Sequence, residues 1–197
     1  MTGNSDGGKD AERLDTLNKI YLTIISRYKD YIEEKEGLSV AELPTLVTPK
    51  NMVVAKKVEE IESGLGHYRY DADFYDASVM AFNFVKDEVG DAVLPLQFWL
   101  TPEETLAFLM GDAFDKNVLL CSLIIGLGNP SCKVFTTIKD DSRRIFVYYE
   151  FSGAVHMLDL KDGIKSFSDK DSMLVSLGMD EDTVAYEFND RSYSDIR

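Results

Sequence analysis

Leu14, Leu17, Ile20, Tyr21, Ile24, Ile25, Tyr28, Tyr31 and Ile32 recur at steps of three and four. That spacing predicts a long amphipathic helix over 10–36, with Gly37 as its stop. Residues 38–50 carry Pro44 and Pro49 and read as a connector crossing the surface. Val53, Val54, Val58 and Ile61 predict a second helix over 50–63, ended by Gly64 and Gly66. A third follows, with Asp73 as its cap and Phe74, Ala77, Met80, Ala81, Phe84 and Val85 on one face. After Gly90, V-L-P-L-Q-F-W-L is too short and proline-marked for a helix and reads as extended chain.

The rest of the chain is organised around residues 98–159. Thr101, Pro102 and Glu104 form a helix start, with Thr101 capping and Glu104 returning the bond. Gly111 is the expected end of that short helix and Asp112 the cap of the next. From 118 to 127 the chain is apolar on nearly every side, which predicts a helix buried all round. The pattern then changes to strands at 132–138, 144–151 and 155–160, rich in Val, Ile, Phe, Tyr and Thr. K-D-D-S and S-G between them are turn-forming, so consecutive antiparallel strands are expected. A short helix over 170–177 and an edge strand in T-V-A-Y-E-F complete the pattern.

This order resembles the core of the transglutaminase-like superfamily, the papain-type fold shared by archaeal transglutaminase-like proteins and peptide N-glycanases. The resemblance rests on Trp99, Pro102, Glu103, Glu104, Thr105, Gly111, Asp112, Leu119, Leu120, Ser122, Leu123, Leu127, Gly128, Leu158 and Asp159, and covers roughly residues 70–160. It implies an α+β fold: a buried central helix packed on an antiparallel sheet, with an N-terminal helical segment. The expected division is a disordered N-terminus at 1–9, a helical segment at 10–64 packed on the core, and a core domain at 65–197.

The resemblance also implies a Cys–His–Asp site, and here the chain departs from it. Ala113 stands where the nucleophilic cysteine belongs, and Arg144 stands at the histidine position (Arg143 if the strand slips by one). Asp159 alone keeps its type. Alanine cannot attack an amide, and a guanidinium does not release its proton near neutral pH. Gln97 and Trp99 lie in the neighbourhood where papain-type folds support the oxyanion, with Trp99 better suited to anchoring the core. Cys121, eight positions along the helix and about 12 Å from Ala113, is expected to be buried and inert. His156 precedes Asp159 by three residues, so strand alternation sends the two to opposite faces. His67, Tyr68 and Tyr70 are cleft candidates, although aromatics at a helix junction are more often packing.

Composition narrows the function classes. A net charge of -14 argues against nucleic acid, whose phosphates demand a basic footprint. Two cysteines and two histidines make neither a disulfide framework nor a zinc site, so no cofactor is expected. No apolar run reaches the ~18–20 residues of a membrane span, and the N-terminus has no export signal, which predicts a cytoplasmic protein. The reading that results is a transglutaminase-like domain without its catalytic Cys and His, binding a peptide or protein partner. The alternative is an active thiol-dependent protease, amidase or acyl-transferase, which requires Ala113 to replace a native cysteine or the register to differ. A third reading makes the chain an oligomerising protein, a homodimer through its N-terminal helix.

Overall fold

The computed structural model of the chain describes residues 6–36, 39–92, 98–140 and 142–196. The chain divides into two compact units, Met1–Gly37 with Val93–Phe98 and Leu38–Ala92 with Trp99–Arg197. The smaller unit contains helix α1 (Asp6–Glu36), which begins ahead of the expected residue 10.

The larger unit opens with a 3-10 turn (Val40–Glu42) and the short helix α2 (Leu43–Leu46). This stretch is not the surface connector that its prolines suggested. Leu43, Leu46 and Val47 are buried, and the Thr48 N–H donates to Ser122 Oγ at 3.0 Å, pinning the segment to the protein's centre. Helix α3 (Met52–Gly64) is capped by Asn51, whose side chain accepts from Val53 and Val54, and it buries Val54, Val58 and Ile61. Helix α4 (Tyr70–Asp87) starts at Arg69, four residues before the expected cap. Asp73 lies inside its first turn, where its carboxylate accepts from the Arg69 N–H at 2.8 Å.

A two-residue strand β1 (Gly90–Asp91) comes next, then α5 (Pro102–Phe108) and a second short strand β2 (Met110–Gly111). The strands β1 and β2 pair in parallel, which the sequence pattern did not indicate. The capping box at α5 is as expected: Thr101 Oγ1 accepts from Glu104 N, and Glu104 Oε2 accepts from Thr101 N at 2.8 Å. The stop differs. Leu109 ends the helix in the left-handed region (φ 49°), and Gly111 serves another purpose. A Cβ at 111 would lie 2.9 Å from the Asp115 Cβ and 3.3 Å from Thr105, so glycine lets β2 lie against the next helix.

That next helix is α6 (Ala113–Gly126), buried along almost its whole length. Beyond it run β3 (Lys133–Lys139), β4 (Ser142–Phe151), β5 (Ala154–Asp159), β6 (Gly163–Phe167), helix α7 (Lys170–Ser176), β7 (Val184–Phe188) and β8 (Tyr193–Ile196). The six strands β3 to β8 form one antiparallel sheet in the order β6-β5-β4-β3-β7-β8. Two of them, β6 and β8, lie outside the strand pattern of the sequence. The strand β7 was expected at an edge, yet it is covered on one side by β3 and on the other by β8.

Alternation along the strands builds two cores. Val134, Val147, Tyr149, Leu158 and Phe188 pack with α3, α4 and α6. On the opposite face Phe135, Phe146, Tyr148, Val155, Met157 and Ala185 pack with Met173 of α7. The sheet is therefore a middle layer, and α6 is the helix sealed between it and the other helices. Among the described residues, no helix is long and apolar enough to cross a membrane.

Candidate functional site

The head of α6 is fixed by reciprocal carboxylates. Asp112 Oδ1 accepts from the N–H groups of Phe114 (2.7 Å) and Asp115 (2.9 Å), two of the donors a helix start leaves open. Asp115 in turn accepts from Asp112 N and from Leu100 N, both at 2.9 Å, tying the chain before α5 to the helix. Asp115 is fully buried, and burial pushes its carboxyl up to about 6 despite those hydrogen bonds. Trp99 stacks on Phe114 with ring centroids 4.8 Å apart, which is the core-anchor arrangement. Gln97 lies outside the described residues.

Ala113 is the first residue of this helix and faces a cavity of about 650 Å³. Arg144 and Asp159, from β4 and β5, line the same cavity. All three positions that the resemblance nominated line this one cavity, although alternation puts Arg144 with Phe146 and Asp159 with Met157 on the face of the sheet away from α6. Arg144 donates to Asp159 Oδ2 from Nε at 3.1 Å and from Nη2 at 3.0 Å, and from Nη2 to Asp162 at 3.0 Å. Continuing the β4–β5 register, in which Val147 faces Leu158, sets Phe146 opposite Asp159 and makes Arg144 its diagonal neighbour. Asp159 is buried and also accepts from the N–H groups of Lys161 (2.9 Å) and Asp162 (3.1 Å), so it closes the turn after β5 as well. Arg143 lines the cavity beside Arg144.

Other chemistry is placed elsewhere. His156 packs against Tyr75 and Tyr149, with centroids 5.1 Å and 5.2 Å away, and its Nδ1 lies 2.9 Å from Ser166 Oγ. Burial holds its pKa below the usual histidine range, and it does not share the cavity of Asp159. Cys121 and Cys132 are both fully buried, and burial pushes the Cys132 thiol well up. Tyr68 donates to the Leu127 carbonyl at 2.6 Å, and Tyr70 packs on Phe74 and Phe151. His67 is exposed beside them. Tyr68 and Tyr70 are thus engaged in packing. Among the described residues, no three His, Cys, Asp or Glu side chains are grouped to hold a metal.

The cavity also holds residues that the sequence pattern did not single out: Lys86, Asp91, Lys116, Asn117, Lys161 and Asp162. Lys116 Nζ donates to Asp91 at 2.8 Å. Asn117 donates to the Ala113 carbonyl at 2.7 Å, and its Oδ1 has no partner among the described residues. A signal for this pair was present. Lys116 and Asn117 are adjacent polar residues at the start of an otherwise apolar helix, and burying them there demands a polar place to point.

No protein-family model and no curated protein matches the sequence. Solved structures do match. LapG of Legionella pneumophila superposes with a TM-score of 0.51 at 14% identity, over 79% of this chain and 87% of that one. Its EGTA-treated form superposes with a TM-score of 0.50 at 12% identity, over 81% and 87%. LapG has the transglutaminase-like cysteine-protease fold. The buried α6 with Ala113 at its head, the antiparallel sheet behind it and this likeness identify the fold of the chain as the transglutaminase-like, papain-type α+β fold.

Proposed function

We propose that this chain is a non-catalytic, transglutaminase-like domain that binds a peptide or protein in the groove where thiol chemistry would otherwise take place. The observation that carries the reading is the groove itself. A methyl group at Ala113 stands at the head of α6, and Arg143, Arg144 and Asp159 line the same groove, the last two joined as an ion pair. A thiol at that position would have been favoured by the helix dipole and activated by a neighbouring base. Neither component is present, and the two cysteines that exist are sealed in the core. What survives is an open, polar cleft without a nucleophile, the part of such an enzyme that holds a chain.

Incubation of the purified protein with casein, and with a glutamine peptide plus a primary amine, tests this reading. Mass spectrometry is expected to show neither cleavage nor adduct, while a peptide or protein that binds wild type is displaced by Ala113→Trp, which fills the groove. Turnover above a blank overturns the reading in favour of an active hydrolase or acyl-transferase.

A further inference from the structure

The groove reverses the sign of the protein around it. Lys86, Lys116, Arg143, Arg144 and Lys161 line it against three carboxylates, Asp91, Asp159 and Asp162, in a chain whose net charge is -14. The cations are also unequally neutralised. Arg144 is held by Asp159 and Asp162. Lys116 is buried, yet its partner Asp91 has 87% of its side chain exposed, where water screens the pair. Lys86, Arg143 and Lys161 are exposed and have no ion pair among the described residues. The carboxylates of Asp112 and Asp115 are committed to backbone N–H groups and lie outside the lining. Asn117, 1% exposed, is also in the lining.

We propose that the groove binds an acidic segment of a polypeptide, with carboxylates of the ligand on Arg143, Lys161 and Lys86. This inference rests on the binding reading above and names its ligand class. An acidic peptide fits better than a nucleic acid. Phosphate backbones are held by an extended basic face, whereas these cations are confined to one cavity and the remaining surface repels a polyanion.

Fluorescence anisotropy tests the proposal with a short labelled peptide of alternating Glu and Gly. Matched Ser–Gly and Lys–Gly peptides and a short single-stranded oligonucleotide serve as comparisons. The Glu–Gly peptide is expected to bind, to weaken as salt is raised, and to lose about tenfold or more in affinity to Arg143→Glu combined with Lys161→Glu. Lys56→Glu, on α3 and away from the groove, leaves binding unchanged. Should the double variant lose its thermal transition, Lys86→Glu at the exposed end of α4 takes its place. Equal binding by a folded double variant overturns the proposal, as does tighter binding of the oligonucleotide. Equal binding of the Ser–Gly peptide also overturns it while leaving the peptide-binding reading intact. Cleavage of any of the peptides would instead overturn the binding reading itself.

Discussion

Arg144 reaches Asp159 with two nitrogens, Nε at 3.1 Å and Nη2 at 3.0 Å, across neighbouring strands. The guanidinium has 36% of its side chain exposed and the carboxylate 4%, so the pair bridges solvent and core. Its members are not equivalent. Arg144 has a second partner in Asp162, whereas Asp159 also holds two backbone N–H groups of its turn.

A double-mutant cycle on this pair is therefore expected to be non-additive. Asp159→Ala should cost more stability than Arg144→Ala, because it leaves two turn N–H groups as well as a guanidinium poorly matched. The double variant should cost less than the two singles summed, by about 0.5–3 kcal/mol. Urea denaturation of the four proteins measures this. Strict additivity would mean that the two side chains do not interact.

Glu187 makes a stronger prediction because it is a buried charge. It accepts from Lys133 (2.6 Å), Lys170 (2.7 Å) and Tyr148 (2.6 Å) while almost fully buried. Burial alone would raise its carboxyl, but the two ammonium groups and the phenol outweigh that and hold it below the usual range. Glu187→Ala, which strands two lysines, is expected to cost about 3–5 kcal/mol, and Glu187→Gln less. Equal, sub-kilocalorie losses in chemical denaturation would contradict the network.

Asp115 gives a pH dependence of the opposite sense to an ordinary ion-paired carboxylate. Its folded pKa is raised from 3.8 to about 6 by burial, so the folded state holds a proton that the unfolded state has released. The stability contributed is fully present below 3.8 and is lost as pH rises through about 6. Asp115→Asn has no such proton. Melting temperatures measured from pH 4 to 7 should therefore show the advantage of wild type over the variant shrinking as pH rises. A difference that stays constant, or grows with pH, would contradict burial as the controlling cause.

The larger unit has its own core, beginning at Leu43 and including α3, α4, α6 and the sheet. A protein starting at residue 38 is accordingly expected to melt cooperatively. Circular dichroism and light scattering on the truncated and full chains check this, and they show at the same time whether a dimer depends on α1. An insoluble or molten product would mean that the apolar stripe of α1 completes the core.

The parts of the fold that could be read from the sequence are those set by neighbours in the chain. The Thr101–Glu104 capping box, the Asp112 cap and the apolar run of α6 are local, and each formed where its residues predicted. Pairings across the chain were not legible. The strands β1 and β2 have two residues each and no hydrophobic pattern, so only their juxtaposition defines them. In β6, Gly-Ile-Lys-Ser-Phe is half-exposed, and β8 lies in a polar tail, which hid both. Leu43, Leu46 and Val47 were obscured by the prolines beside them. At the site, order along the chain was enough to set Ala113, Arg144 and Asp159 in the lining of one cavity and to pair the last two. The lysines around them come from α4, α6 and the turn after β5, and nothing in a linear pattern assembles those.

The most direct measurement is intact-mass spectrometry after iodoacetamide treatment of the native protein. The central claim is that Ala113 lies in an open groove that holds no thiol, and that no other thiol is available. Wild type is expected to remain unmodified while folded, since Cys121 and Cys132 are sealed in the core, and Ala113→Cys is expected to gain one adduct at position 113. Rapid modification of Cys121 or Cys132 in native wild type, or an Ala113→Cys variant that stays unmodified, would contradict the account.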